Sequence, residues 1–149
     1  MKTEWLIKTP TDFKSLIDSL LTELEKQKST MLCLQGDLGA GKTAFTQELG
    51  KYLGVAEKIV SPTFVVMKNY ETSHEVYEQL NHIDAYRIES EAELMPLRME
   101  DQMTGDNRLT CIEWPERITD SIPASAVWLT FEILPDEVRR VTITLSKGQ

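Results

Sequence analysis

Between Met31 and Thr43 the chain reads MLCLQGDLGAGKT. The first five residues are an apolar run of a length suited to a buried strand. The eight that follow, Gly36 to Thr43, fit G-x-x-x-x-G-K-[ST], the loop that wraps nucleotide phosphates. Its glycines let the backbone turn tightly and bring N–H groups onto phosphate oxygens without a Cβ in the way. Lys42 supplies a compact cation for the β- and γ-phosphates, and Thr43 supplies a hydroxyl for Mg²⁺. The expected nucleotide-binding stretch is therefore Asp37, Leu38, Gly39, Ala40, Gly41, Lys42, Thr43 and Ala44. After it, Phe45, Leu49, Tyr52 and Leu53 recur at helical spacing until Gly54 ends the segment. Strand, loop and helix stand in the order that a phosphate site at a helix N-terminus requires.

Working outward, Thr3 to Lys8 reads as a first edge strand. Thr9-Pro10-Thr11-Asp12 is a helix start, with a capping hydroxyl, proline at the first helical position and an early carboxylate. Phe13, Leu16, Ile17, Leu20, Leu21 and Leu24 give an apolar stripe running to about Lys26. Later, Phe64 to Tyr70 and Val76 to Ile83 read as two strands joined by Glu71-Thr72-Ser73-His74. Glu89 to Met95 suggests a short helix before Pro96, with a second turn near Arg98 to Met103. Leu109 to Ile112 is a buried-type strand ending in Glu113. Ala126 to Leu134 and Val138 to Leu145 alternate like a hairpin around Pro135-Asp136-Glu137. The expected fold is α/β: a single domain over residues 1–149 of the P-loop NTPase kind, with a mixed β-sheet flanked by helices and a C-terminal antiparallel hairpin.

The bulk composition narrows the function classes. The 149 residues are 41% hydrophobic and 27% charged, which fits one ordinary globular domain. Sixteen Lys and Arg against 24 Asp and Glu give a net charge of −8, which argues against strong direct nucleic-acid binding. The acidic residues concentrate in the second half, as a solvated face or as a docking surface for a basic partner. The two cysteines, Cys33 and Cys111, both sit in core-type strands without metal spacing. A disulfide is not expected, which fits a reducing compartment. Behind Lys2 the apolar stretch Trp5-Leu6-Ile7 is too short for a signal peptide, and no run approaches a membrane span. The expectation is a cytoplasmic protein with no membrane association.

A phosphate loop binds nucleotide, but hydrolysis also needs a carboxylate on the metal side and a way to place water. Glu113 is the candidate for the first role, because it closes the buried strand Leu109-Thr110-Cys111-Ile112. Asp84, closing the segment before Ala85-Tyr86-Arg87, could orient the attacking water or a water on the metal. Lys42, Asp84 and Glu113 thus form the expected catalytic set, and Thr43 with Glu113 the expected metal site. His82 reads as a packed or hydrogen-bonded imidazole rather than a catalyst, and His74 as a solvated turn residue. Ser61-Pro62-Thr63-Phe64 has the local character of a sensing loop, with Pro62 holding Ser61 extended and Thr63 offering a hydroxyl. Arg87, Arg98 and Arg108 could each stabilise transition-state charge, and spacing does not choose among them. Trp114, next to Glu113, should lie near the nucleotide or a docking surface.

Taken together, GDLGAGKT, SPTF, HIDAYR and CIEWPER, in this order and spacing, resemble the small bacterial ATPase family TsaE, also called YjeE. The resemblance implies a role in forming N6-threonylcarbamoyladenosine on tRNA, with ATP and Mg²⁺ as cofactors. It implies two partner proteins, TsaD and TsaB, with TsaD carrying the transferase chemistry; the acidic charge fits a protein that reaches tRNA indirectly, through them. It also implies that Lys42 and its loop neighbours hold phosphate, that Thr43 and Glu113 hold Mg²⁺, and that the Thr63 segment is a switch. Thr11 would fall near the adenine pocket, and the turn after Leu134 would approach the base. Ala44 departs from the threonine frequent in the family, and Ala85 from its leucine. The stretch Met95 to Met103 is less typical. A small-molecule kinase using the same loop is the alternative, although its candidate lid, Glu89 to Arg108, is acidic. A nucleotide-binding module without turnover is a third reading, opposed by the intact Lys42, Thr43 and Glu113. Neither N-K-x-D nor D-x-x-G is present, so ATP is expected rather than GTP.

Overall fold

The computed structural model describes residues 3–37, 39–60, 66–90, 93, 105 and 107–145. Seven strands form one sheet: β1 (Glu4–Ile7), β2 (Met31–Gln35), β3 (Met67–Glu71), β4 (Gln79–Asp84), β5 (Arg108–Glu113), β6 (Val127–Ile133) and β7 (Arg139–Thr144). Their spatial order is β1-β7-β6-β2-β5-β4-β3. The four central strands, β6, β2, β5 and β4, run parallel; β3 and β7 run antiparallel to their neighbours β4 and β6, and β1, antiparallel to β7, forms the far edge. This is the mixed sheet with a C-terminal hairpin that the sequence predicts. The expected helix and turn between Glu89 and Met103 lie almost wholly outside the described residues.

Two helices, α1 (Phe13–Gln27) and α2 (Lys42–Leu53), pack on one face of the sheet. The predicted stripe of α1 is buried at Phe13, Leu16, Ile17, Leu20 and Leu24, as a half-buried amphipathic helix requires. Strand alternation then divides the core in two. Leu32 and Leu34 of β2 face the helices, whereas Met31 and Cys33 face the opposite side, beneath Ala85, Ile88 and Ile118. The same alternation separates the cysteines. Cys111 lies opposite Leu32 on the helix side, and Cys33 lies opposite Ile112 on the other, so both thiols are free and buried. Burial pushes the Cys33 thiol up to about 12 and raises that of Cys111 further, so both are protonated at neutral pH.

Two local expectations are corrected. Tyr52 is not part of the buried stripe of α2; it is 37% exposed, and its hydroxyl donates to Asp18 on α1. The second hairpin strand begins at Gln79 rather than Val76, because His74 shapes the turn before it. The His74 Nδ1 accepts from the amides of Val76 and Tyr77 at 3.1 and 3.3 Å, and its ring stacks on Tyr77. His74 is therefore a half-buried turn organiser and not a freely solvated residue.

Candidate nucleotide site at the C-terminal ends of the parallel strands

The carboxyl ends of β2, β4 and β5 lie side by side, where crevices in α/β sheets bind ligands. From β2 the chain enters the loop and turns into α2 at Gly41, whose φ of 108° is open to glycine and strained for other residues. Gly36 is required for a different reason. A Cβ there would stand 2.7 Å from the Phe131 carbonyl oxygen and 3.0 Å from Phe131 Cβ, both on the rigid strand β6. Gly36→Ala is therefore expected to destabilise the fold by about 2 kcal/mol through overpacking. Urea melting that returned wild-type stability would show that the loop yields freely.

Lys42 is buried at the first position of α2, and its Nζ donates to the Gly36 carbonyl at 2.6 Å. The Nζ also sits 3.8 Å from the centroid of the Trp114 indole, a cation–π geometry. Burial lowers the Lys42 pKa, and the carboxylates of Glu113, Glu116, Asp84 and Asp37 oppose that shift. A partly desolvated cation at a helix N-terminus is a strong attractor for phosphate. Trp114, held at a left-handed φ of 59°, also lies tilted against the Tyr86 ring with centroids 5.0 Å apart, so it borders the site as its position after Glu113 predicts.

Glu113 ends β5 with its carboxylate buried beside α2. The Thr43 hydroxyl is 3.3 Å from one of its oxygens and 3.5 Å from the other, although the two residues are 70 positions apart. A hydroxyl and a carboxylate this close suit one hard cation, which takes oxygen ligands. Among the described residues no cluster of three His, Cys, Asp or Glu could hold a metal alone. Mg²⁺ is a hard cation of this kind, bound by one or two protein oxygens together with phosphates and water. The pair Thr43 and Glu113 therefore fits the expected ion.

His82 takes a part that its sequence position does not announce. It is fully buried, and its Nε2 lies 2.6 Å from Glu113 Oε2. A carboxylate can only accept, so Nε2–H is the donor in this contact. His82 and Glu113 come from adjacent parallel strands, with Asp84 paired directly against Glu113. The imidazole thereby fixes the rotamer of the carboxylate that faces Thr43. Replacing His82 with phenylalanine is expected to weaken the Mg²⁺ dependence of turnover roughly ten-fold. Metal-free nucleotide affinity should stay unchanged in that variant; a parallel loss would identify a packing role alone.

Asp84 is also buried at the end of β4, and one of its oxygens accepts from the Tyr86 amide at 2.9 Å. It sits close enough to Lys42 to act on its charge. Thr11 lies in the short turn Pro10–Asp12 that leads into α1, exposed, with its hydroxyl 2.9 Å from that of Thr9. Thr11 lines a groove between α1 and α2 with Lys14, Glu48 and Tyr52. Ala44 lies in the first turn of α2 and packs against the core. Leu38, the Ser61–Phe64 segment and Arg98 fall outside the described residues. Arg108 opens β5, so roughly 16 Å of strand, at about 3.3 Å per residue, separates it from Glu113. Arg108 is thus removed from the candidates for transition-state stabilisation within this chain, whereas Arg87 follows β4 at the correct end.

The family model for the threonylcarbamoyl adenosine biosynthesis protein TsaE matches residues 7–141, which take in β2 to β6, both helices and the phosphate loop with Asp84 and Glu113. The chain belongs to the TsaE family. It is 30% identical over 141 residues to the tRNA threonylcarbamoyladenosine biosynthesis protein TsaE of Bacillus subtilis, covering 95% of this chain and 84% of that protein. The TsaE protein of Rickettsia bellii is 37% identical over 117 residues, 78% of each chain. The crystal structure of YdiB from Bacillus subtilis superimposes with a TM-score of 0.69 at 25% identity, covering 97% of this chain and 86% of that one. The P-loop α/β fold and the TsaE assignment thus agree. Among the described residues, no helix is long and apolar enough to cross a membrane.

Proposed function

We propose that this TsaE family member is a Mg²⁺-dependent ATPase that supports formation of threonylcarbamoyladenosine in tRNA, as a cytoplasmic accessory subunit to TsaD and TsaB. The observation that carries the reading is the convergence of Thr43 and Glu113 beside the buried Lys42 at the N-terminus of α2. Each group has one task. The loop amides and Lys42 bind the phosphates, while Thr43 and Glu113 hold the metal that neutralises charge on them. Asp84 pairs beside Glu113 in the sheet, which supports a role for it in orienting water. The net charge of −8 supports a protein that reaches tRNA through its partners.

Steady-state ADP release from Mg·ATP, measured with the chain alone and then with TsaD and TsaB, tests the proposal. Slow turnover that rises severalfold in the mixture is the expected result. Turnover that ignores both partners would sink the coupling, and phosphoryl transfer to a small acceptor would establish the kinase alternative.

A further inference from the structure

Arg139 opens β7 on the face covered by the helices, since Val141 and Ile143 of the same strand lie in the core beneath α1 and α2. Its side chain reaches the phosphate loop. The Nη2 donates to the Gly39 carbonyl at 3.2 Å, across 100 positions of sequence, and the Nη1 donates to the Glu137 carbonyl at 3.0 Å. The aliphatic stem lies along the loop as well, with Cγ 4.0 Å from where a Cβ on Gly41 would stand. The Nε is buried, with no hydrogen-bond partner among the described residues.

Both anchors of the guanidinium are unusual backbone. Glu137 and its neighbour Asp136 have φ values of 61° and 63°, a left-handed pair that non-glycine residues adopt at a cost. On the other side, the Gly39–Ala40 peptide is held at both ends, because the Ala40 amide donates to the Asp37 carbonyl at 3.1 Å. A planar guanidinium fixes its N–H directions relative to one another, so it locks the loop peptide against the hairpin turn. The loop cannot then rotate that peptide without breaking a charge-assisted bond. Beyond it lie the first amides of α2, which have no intrahelical partners and serve an anion.

We propose that Arg139 is a positioning residue for the nucleotide phosphates, which clamps the Gly39 peptide so that the phosphate loop is held ready for its anion. The inference rests on the nucleotide-binding reading above. It links the C-terminal hairpin to the affinity of the phosphate site.

The test is calorimetric titration of the full chain with Mg·ADP, for the wild type, Arg139→Met and Arg139→Lys, beside melting curves and amide hydrogen exchange. Methionine keeps the packed stem and removes both hydrogen bonds, whereas lysine keeps the charge and one donor point. The expected result is at least ten-fold weaker binding in Arg139→Met with an intermediate loss in Arg139→Lys. Melting temperature should be unchanged, and exchange should quicken in residues 36–44 but not in residues 139–145. Wild-type affinity in Arg139→Met overturns the proposal. So does an equal loss in both variants with a lower melting temperature and fast exchange through the hairpin, which would make Arg139 a fold residue. A wild-type chain that binds no Mg·ADP would instead remove the nucleotide reading, and the clamp with it.

Discussion

Substituting Lys42 with alanine is expected to weaken Mg·ATP binding at least 100-fold, about 2.7 kcal/mol at 25 °C. Three contributions disappear together. The charge proposed to bind the β- and γ-phosphates is lost, at a site where burial disfavours the charged form. The bond from Nζ that ties the helix start to the Gly36 carbonyl is lost as well. Finally, the carboxylates of Glu113, Asp84 and Asp37, which act on Lys42, would face the polyphosphate without a cation between them. Folding should be little affected, because the substitution removes a partly desolvated charge and leaves the apolar contacts of α2 in place. Titration showing undiminished Mg·ATP affinity in a folded Lys42→Ala protein would defeat the phosphate-loop assignment.

Removal of the Glu113 carboxylate should act on a different step. Glu113→Ala is expected to lower Mg²⁺-dependent hydrolysis by roughly 10²–10³, the scale of losing one preorganised electrostatic group in an active site. Metal-free ADP binding should change less than two-fold, since Glu113 contacts Thr43 and His82 rather than the glycine-rich turn. The alanine variant also leaves the buried Nε2–H of His82 without its acceptor, which costs about 1–3 kcal/mol of stability. Glu113→Gln separates the two effects. Its amide oxygen still accepts from His82, but the negative charge that a cation requires is gone. Hydrolysis lost in both variants, with stability recovered only in glutamine, is the predicted pattern. Equal losses of metal-dependent and metal-free binding would mean that Glu113 is a structural group.

These two residues differ in how plainly the sequence shows them. Lys42 lies in a contiguous motif whose local backbone is its own explanation: tight turn, helix start and cation are neighbours. Glu113 was legible because it ends a short apolar run, a strand-exit position that directs a carboxylate to the rim of the sheet. Asp84 is legible by the same logic at the end of β4. His82 was not, since an imidazole two residues from a strand end has no pattern that says what it touches. Tyr52 misled for the opposite reason: helical spacing placed it in the stripe, but its hydroxyl is satisfied at the surface by Asp18. Arg139 carried no local signal at all.

The strand–loop–helix unit, the polarity of α1, the free cysteines, the C-terminal hairpin and the family are all legible in the amino-acid sequence. Each rests on periodicity, on turn chemistry, or on motifs read in order, all of which are written in neighbouring residues. The position of β2 between β5 and β6, which sets Glu113 against Thr43, emerges only when the sheet assembles. Only the register of β4 on β5 puts His82 beneath that carboxylate, and only the hairpin's placement brings Arg139 to Gly39. The physical reason is that a strand's own pattern fixes which face is buried. Its neighbour and register are fixed by packing energy shared across the whole sheet.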